Sequence, residues 1–118
     1  MKTRILVTIG DINGIGPEII LKTLKNGSFI KKYDITVVSP IYVLSYYAKL
    51  LKIKLSMDNF NIIPIATEKF NINIGRITEE SGYISGLAID TAIQLALSGE
   101  YDAIVTAPIN KKSLNLGG

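Results

Sequence analysis

The chain of 118 residues contains no cysteine and no histidine. Without cysteine there is no disulfide framework, no thiolate metal site and no cysteine nucleophile, and the cytoplasm is the default compartment. Without histidine the commonest general base and the commonest transition-metal ligand are both missing. No apolar run reaches the eighteen or so residues that a membrane span needs, so none is expected. Lys2 and Arg4 precede a short apolar run, but that run leads into a polar glycine loop without a small-residue cleavage site and reads as a strand rather than a leader. The net charge is +3, with the lysines scattered and no basic patch or stripe, so nucleic acid is not an expected partner.

What is present is an ordinary globular composition, 47% apolar and 19% charged. The length suits one small domain that buries roughly two thirds of its unfolded surface. The stretch Thr8-Ile9-Gly10-Asp11-Ile12-Asn13-Gly14-Ile15-Gly16-Pro17-Glu18 organises the rest. Ile5 to Ile9 reads as a buried strand, the glycines free the backbone, and Pro17 with Glu18 opens a helix. Helix starts present unpaired N–H groups and the positive end of the dipole, which favours anions.

Downstream, Ile19, Ile20, Leu21 and Leu24 form an apolar helix face stopped at Asn26-Gly27. Ile35 to Val38 is a second strand. Ser39 and Pro40 are the expected N-cap and first residue of a helix running to about Leu51. Tyr42, Tyr46 and Tyr47 on that helix read as core or rim packing, rings buried and hydroxyls wet. Ile62, Ile63 and Ile65, interrupted by Pro64, predict an edge strand, and Asn71 to Gly75 a loop. The clearest helix opens at Thr78-Glu79-Glu80-Ser81, sets Ile84, Leu87, Ala88, Thr91, Ala92, Leu95 and Ala96 at helical spacing on one face, and ends at Gly99. Its Gly82 and Gly86 imply either close packing on another backbone or a dimer contact. Ala103 to Thr106 then reads as a buried strand, followed by a turn with Pro108, an Asn110 cap and a short helix to Leu116.

Alternating strands and helices predict an α/β fold with a mostly parallel, doubly wound sheet. Ligands of such sheets bind at the carboxyl ends of the strands, where Thr8 to Gly16 and Thr106 to Lys112 should meet. The residues expected near substrate or cofactor are Gly10, Asp11, Gly14, Gly16, Asn110 and Lys111. Each also has a structural reading. Asp11 can bond nearby backbone, the glycines can simply permit the turn, Asn110 can be a cap, Lys111 can be solvated, and Glu18 can be a favourable charge at a helix start. Asp11, Glu18, Asp34, Asp58, Glu79, Glu80 and Asp102 form no pair at metal spacing, so neither a metal ligand nor a catalytic residue is assigned.

Thr8, Gly10, Asp11, Gly14, Ile15, Gly16, Pro17 and Glu18 resemble the opening motif of the 4-hydroxythreonine-4-phosphate dehydrogenases of pyridoxal phosphate biosynthesis, a motif shared more loosely by the isocitrate and isopropylmalate dehydrogenase fold. Gly75, Arg76, Ser81, Gly82 and Gly86, and then Gly99, Asp102 to Lys111, Leu114 and Gly118, resemble later blocks of that family in the same order. The sequence departs at Ile12 and Asn13, where the family usually has proline and alanine, and loss of the proline should loosen the loop. The resemblance implies an amino-terminal portion, residues 1–118, of a longer two-domain, homodimeric enzyme. Such an enzyme uses NAD or NADP and a divalent metal to oxidise a phosphorylated hydroxy amino acid, whose keto acid then loses carbon dioxide. A histidine-threonine substrate pair, three metal-binding histidines and much of the nicotinamide site would follow Gly118. The chain alone is therefore expected to bind neither group well and to be inactive. Two further readings are a non-catalytic remnant or interaction domain, marked by an exposed apolar surface, and a different α/β phosphate- or nucleotide-binding module.

Overall fold

The computed structural model describes all residues except Met1, Met57, Asn59, Thr67 and Glu68. Its elements in chain order are β1 (Thr3–Thr8), α1 (Gly16–Lys25), α2 (Gly27–Lys32), β2 (Tyr33–Ser39), α3 (Ile41–Leu50), β3 (Asn61–Pro64), α4 (Glu79–Leu97), β4 (Ala103–Thr106) and α5 (Lys111–Leu116). The strands form one parallel sheet in the order β3-β2-β1-β4. β1 to β2 and β2 to β3 step one way across the sheet, and β3 to β4 steps back. Right-handed crossovers then place α1 and α3 on one face and α4 on the other. Strand side chains alternate accordingly: Ile5, Val7, Ile35 and Val37 share a cavity wall with Ile19, Ile20 and Leu24 of α1. Leu6, Thr8, Thr36 and Val38, also buried, point to the other face, where Ile84, Ala88 and Ala92 of α4 are buried.

Alternation and helical spacing account for most elements, and three expectations are corrected. α1 stops at Asn26 as expected, but a short second helix follows at once: Asn26, itself extended, closes α1 with its backbone N–H and caps α2 with its side chain, which accepts from Ser28 N at 3.0 Å. Ser39 is not the cap of α3. It remains in β2, paired with Pro64, its hydroxyl bonds the Pro40 carbonyl at 2.8 Å, and Pro40 takes the cap position. β4 is not a buried strand. It is exposed throughout because β1 is its only neighbour among the described residues, and on the α1 side of the sheet Val105 is left 50% exposed. The Tyr47 hydroxyl is not wet, as described below.

The Gly82 and Gly86 spacing is explained by α5, which lies against α4 so closely that a Cβ on Gly82 would fall on the Ser113 carbonyl. The far end of β4 is fastened to β1 at the surface: Asp102 accepts from Arg4 N at 2.8 Å and pairs with the Arg4 guanidinium at 3.2 Å. That pairing holds the Asp102 carboxyl below its usual range. An exposed pair of this kind contributes little stability.

Candidate functional site

β1 and β4 are neighbours whose following helices leave for opposite faces of the sheet. The carboxyl ends of these two strands are therefore the switch point where a parallel sheet offers a crevice. The loops after them meet there, as expected. Ala107 N donates to Thr8 O at 3.2 Å and Asp11 N to Pro108 O at 2.9 Å. Gly10, at φ +72°, lies so close that a Cβ would stand 2.5 Å from Pro108 O, and one on Gly16 would stand 2.8 Å from Ile9 O and 3.1 Å from the Ala107 methyl. The glycines thus admit the second loop.

The remaining predicted residues take the roles their chemistry favours locally. Asp11 Oδ1 accepts from Asn13 N at 3.0 Å in an Asx turn. Asn110 caps α5, accepting from Ser113 N at 3.0 Å. Lys111 follows it, exposed at the start of α5. Glu18 stands in the first turn of α1 and pairs with Lys22 at 3.5 Å. The α1 start itself has Ile15 at the cap position and no side-chain cap. Its first turn contains Pro17, which has no N–H, and the acidic Glu18.

Three residues that sequence reasoning missed hold the loop in place. Ser85 of α4 donates to Gly10 O at 2.7 Å. Tyr47 of α3 donates to Ile12 O. Asn13, fully buried, bonds the 73–78 segment from several atoms. At Asn13 the departure from the family pattern adds side-chain bonds that fasten the loop, whereas Tyr47 bonds the main-chain carbonyl at Ile12, which any residue there would offer. Ser85 was visible as a polar residue within the apolar face of α4, a position that demands a buried partner. Helical spacing from Val43 and Leu44 sets Tyr47 on the buried face of α3 and leaves Tyr46 exposed, but it does not reveal the partner of the hydroxyl.

Burial pushes the Tyr47 phenol up to about 12, with smaller contributions from Tyr46, Asp11 and Glu18. Because the folded value lies above the unfolded one, this contribution is complete below about pH 10 and is lost as pH rises from about 10 towards about 12. Tyr47→Phe should lower stability at neutral pH by about 1–2 kcal/mol, since the Ile12 carbonyl loses its donor. It should also flatten the alkaline limb of a plot of melting temperature against pH relative to the parent. Parallel alkaline limbs in the two proteins would contradict the buried bond.

An open cleft of about 1110 Å³ lies between α3 and the 69–73 segment, lined by Tyr42, Tyr46, Lys49, Lys69, Phe70 and Asn71 among others. Phe70 N donates to the Tyr42 hydroxyl at 3.0 Å on its wall. None of the six predicted residues lines it. Among the described residues no group of three acidic side chains could hold a metal ion, and histidine and cysteine are absent from the sequence. The residues present therefore do not fit the divalent metal that the resemblance implies.

Residues 19–118 match the family model described as pyridoxal phosphate biosynthetic protein PdxA. A 4-hydroxythreonine-4-phosphate dehydrogenase of Nostoc sp. is 35% identical over 99% of this chain and 35% of its own length. The D-threonate 4-phosphate dehydrogenase of Salmonella typhimurium is 29% identical over 100% of this chain and 41% of its own. The crystal structure of a 4-hydroxythreonine-4-phosphate dehydrogenase from Burkholderia phymatum superposes with a TM-score of 0.89 at 25% identity, over 100% of this chain and 40% of that one. The chain thus spans roughly two fifths or less of the relatives it matches. With a family model matched over most of its length and the same parallel sheet, this chain belongs to the PdxA family.

Proposed function

We propose that this chain is the amino-terminal portion of a dehydrogenase that oxidises a phosphorylated C4 hydroxy acid in or near pyridoxal phosphate biosynthesis. The observation that carries this reading is the superposition of the whole chain on a 4-hydroxythreonine-4-phosphate dehydrogenase. The related proteins are named for 4-hydroxythreonine 4-phosphate or D-threonate 4-phosphate, so the substrate class is a small hydroxy acid with a terminal phosphate. In this reading the glycine loop, the uncapped start of α1 and the Asn110-Lys111 turn form one wall of the site. Lys111 supplies a point charge for the substrate phosphate. NAD or NADP and a divalent metal complete the reaction, held by residues that these 118 do not include. The complete enzyme is a homodimer.

The test is direct. The purified chain, given 4-hydroxythreonine 4-phosphate or D-threonate 4-phosphate with NAD or NADP and a divalent metal, should form no reduced nicotinamide. Substrate-dependent absorbance at the reduced-nicotinamide wavelength would refute the assignment of the reacting groups to residues outside the chain. In the same preparation, inorganic phosphate should bind weakly, and Lys111→Ala should weaken it about threefold or more.

A second reading, a remnant that serves only to associate, is favoured by a specific observation. Leu97 is 80% exposed, and Ile93, Ile104, Val105 and Leu116 are exposed as well, while the outer edge of β4 is unpaired among the described residues. The reading as an unrelated phosphate-binding module falls with the family match.

A further inference from the structure

Asn13 is 1% exposed and lies under the glycine loop. Its Nδ2 donates to Arg76 O at 3.2 Å and to Thr78 Oγ1 at 3.2 Å, and its Oδ1 accepts from Asn73 N at 2.8 Å. Its main chain accepts from Gly75 N at 2.8 Å and donates to Asp11 Oδ1 at 3.0 Å. The orientation of the carboxamide is dictated by these partners, because the reverse would set its NH₂ against the Asn73 N–H and its oxygen against the Arg76 carbonyl. Thr78 Oγ1 also accepts from Ser81 N at 3.1 Å and so caps α4. A single buried side chain therefore joins the Asx turn of the glycine loop, the 73–78 turn and the start of the longest helix.

We infer that Asn13 is a positioning residue: its carboxamide bolts the 73–78 turn to the glycine loop, so that the shape of the loop and the cap of α4 are set together. It does this without touching a ligand. Filling space would need no such pattern, since an apolar side chain of similar volume would pack there without ordering Asn73, Arg76 and Thr78 around it. A buried network of this kind is stable when every member is bonded and fails as a unit when one is removed.

Amide hydrogen exchange on the 118-residue chain tests the bolt. In Asn13→Ala the Asn73 and Gly75 amides should exchange roughly 10- to 100-fold faster, while Val37 and Val38 in the sheet stay as in the parent. Unchanged Asn73 and Gly75 amides would overturn the inference. So would equal acceleration throughout the sheet, which would make Asn13 a general stability residue. Asn13→Asp keeps an acceptor for Asn73 N and loses the donors. It should leave Asn73 protected and release Gly75, because the Gly75 bond to the residue-13 main-chain carbonyl is held in place by the neighbouring Arg76 anchor that Asp cannot make, and it reads the same link if the alanine variant does not fold. Release of both amides alike, or of neither, would count against the bolt.

The last measurement rests on the anion site proposed above. If the parent binds inorganic phosphate at the glycine loop, Asn13→Ala should weaken it several-fold, and equal binding in both proteins would show that the bolt does not set the loop. Absence of phosphate binding to the parent would refute the anion site alone, and the exchange pattern would then decide the role of Asn13.

Discussion

Replacing Gly82 with alanine is expected to drive α5 off α4 and to destabilise the chain by about 3 kcal/mol or more, at the upper end of overpacking effects. Helix propensity argues the other way, since alanine is better than glycine inside a helix by about 1 kcal/mol. Sterics win here because the new methyl would fall on the Ser113 carbonyl, with Leu114 N at 2.8 Å. These are backbone atoms of a second helix, and neither can move without shifting α5. Gly117 also lies close to α4, its missing Cβ facing the Tyr83 N–H and the Glu79 carbonyl, so the first turns of the long helix are covered by backbone from both Ser113 and Gly117. The melting temperature of Gly82→Ala should fall by roughly 10 °C or more. Gly86→Ala is the control, because its Cβ would meet only the Leu114 Cδ1 at 3.4 Å, the end of a side chain that can turn away. It should be neutral or slightly stabilising. If the two variants melt together, α5 does not sit on α4, and the paired glycines must be explained by contact with another molecule.

That contrast also shows what was legible in the sequence. The spacing of Gly82 and Gly86 announced a close approach, but the partner could not be named, because nothing local distinguishes a helix of the same chain from a second copy. The parallel α/β fold, the edge position of β3, the polar opening of α4 at Thr78 to Ser81 and the meeting of the two loops were legible, because each follows from periodicity or turn chemistry. α2 was not. It has six residues and no buried one, so it leaves no periodic trace, and its existence depends on Asn26 serving two helices at once. β4 read as buried because Ala103-Ile104-Val105-Thr106 is apolar and β-branched. Burial of a strand depends on neighbours that a four-residue run does not reveal. The same limit hid Asn13, whose partners lie some sixty residues away.

The site residues divide along the same line. Asp11 and Asn110 bond backbone within three residues of themselves, and such contacts are written in local sequence. The glycines of the first loop were ambiguous between a ligand and a turn, and the structure supplies a third occupant, the Ala107-Pro108 backbone. The exposed β4 edge and the apolar residues beside it belong to the same argument. The sheet is continuous from β3 to β4 and its helices cover β2 and β1 well, so stability is concentrated on one side. On the other side β4 is exposed along its length and its outer edge is unpaired among the described residues.

Gly10→Ala is the variant that separates contact from conformation at the switch point. Gly10 sits at φ +72°, where an alanine is strained by roughly 1–2 kcal/mol whatever surrounds it. Gly75 shares that conformation at φ +81° and has nothing within 4 Å of its missing Cβ. Gly75→Ala therefore measures conformational strain alone. At Gly10 the methyl would also stand 2.5 Å from Pro108 O and 2.8 Å from Ala107 O, so the two loops must part and the bond from Asp11 N to Pro108 O must break. Gly10→Ala should accordingly lose about 2 kcal/mol more than Gly75→Ala, within the usual range for overpacking plus one lost hydrogen bond. The Asp11 and Ala107 amides should lose their exchange protection in the first variant and keep it in the second. Equal losses would mean that the loops do not touch. The close approach of Gly10 to the Ala107-Pro108 backbone would then not be what requires a glycine at this position.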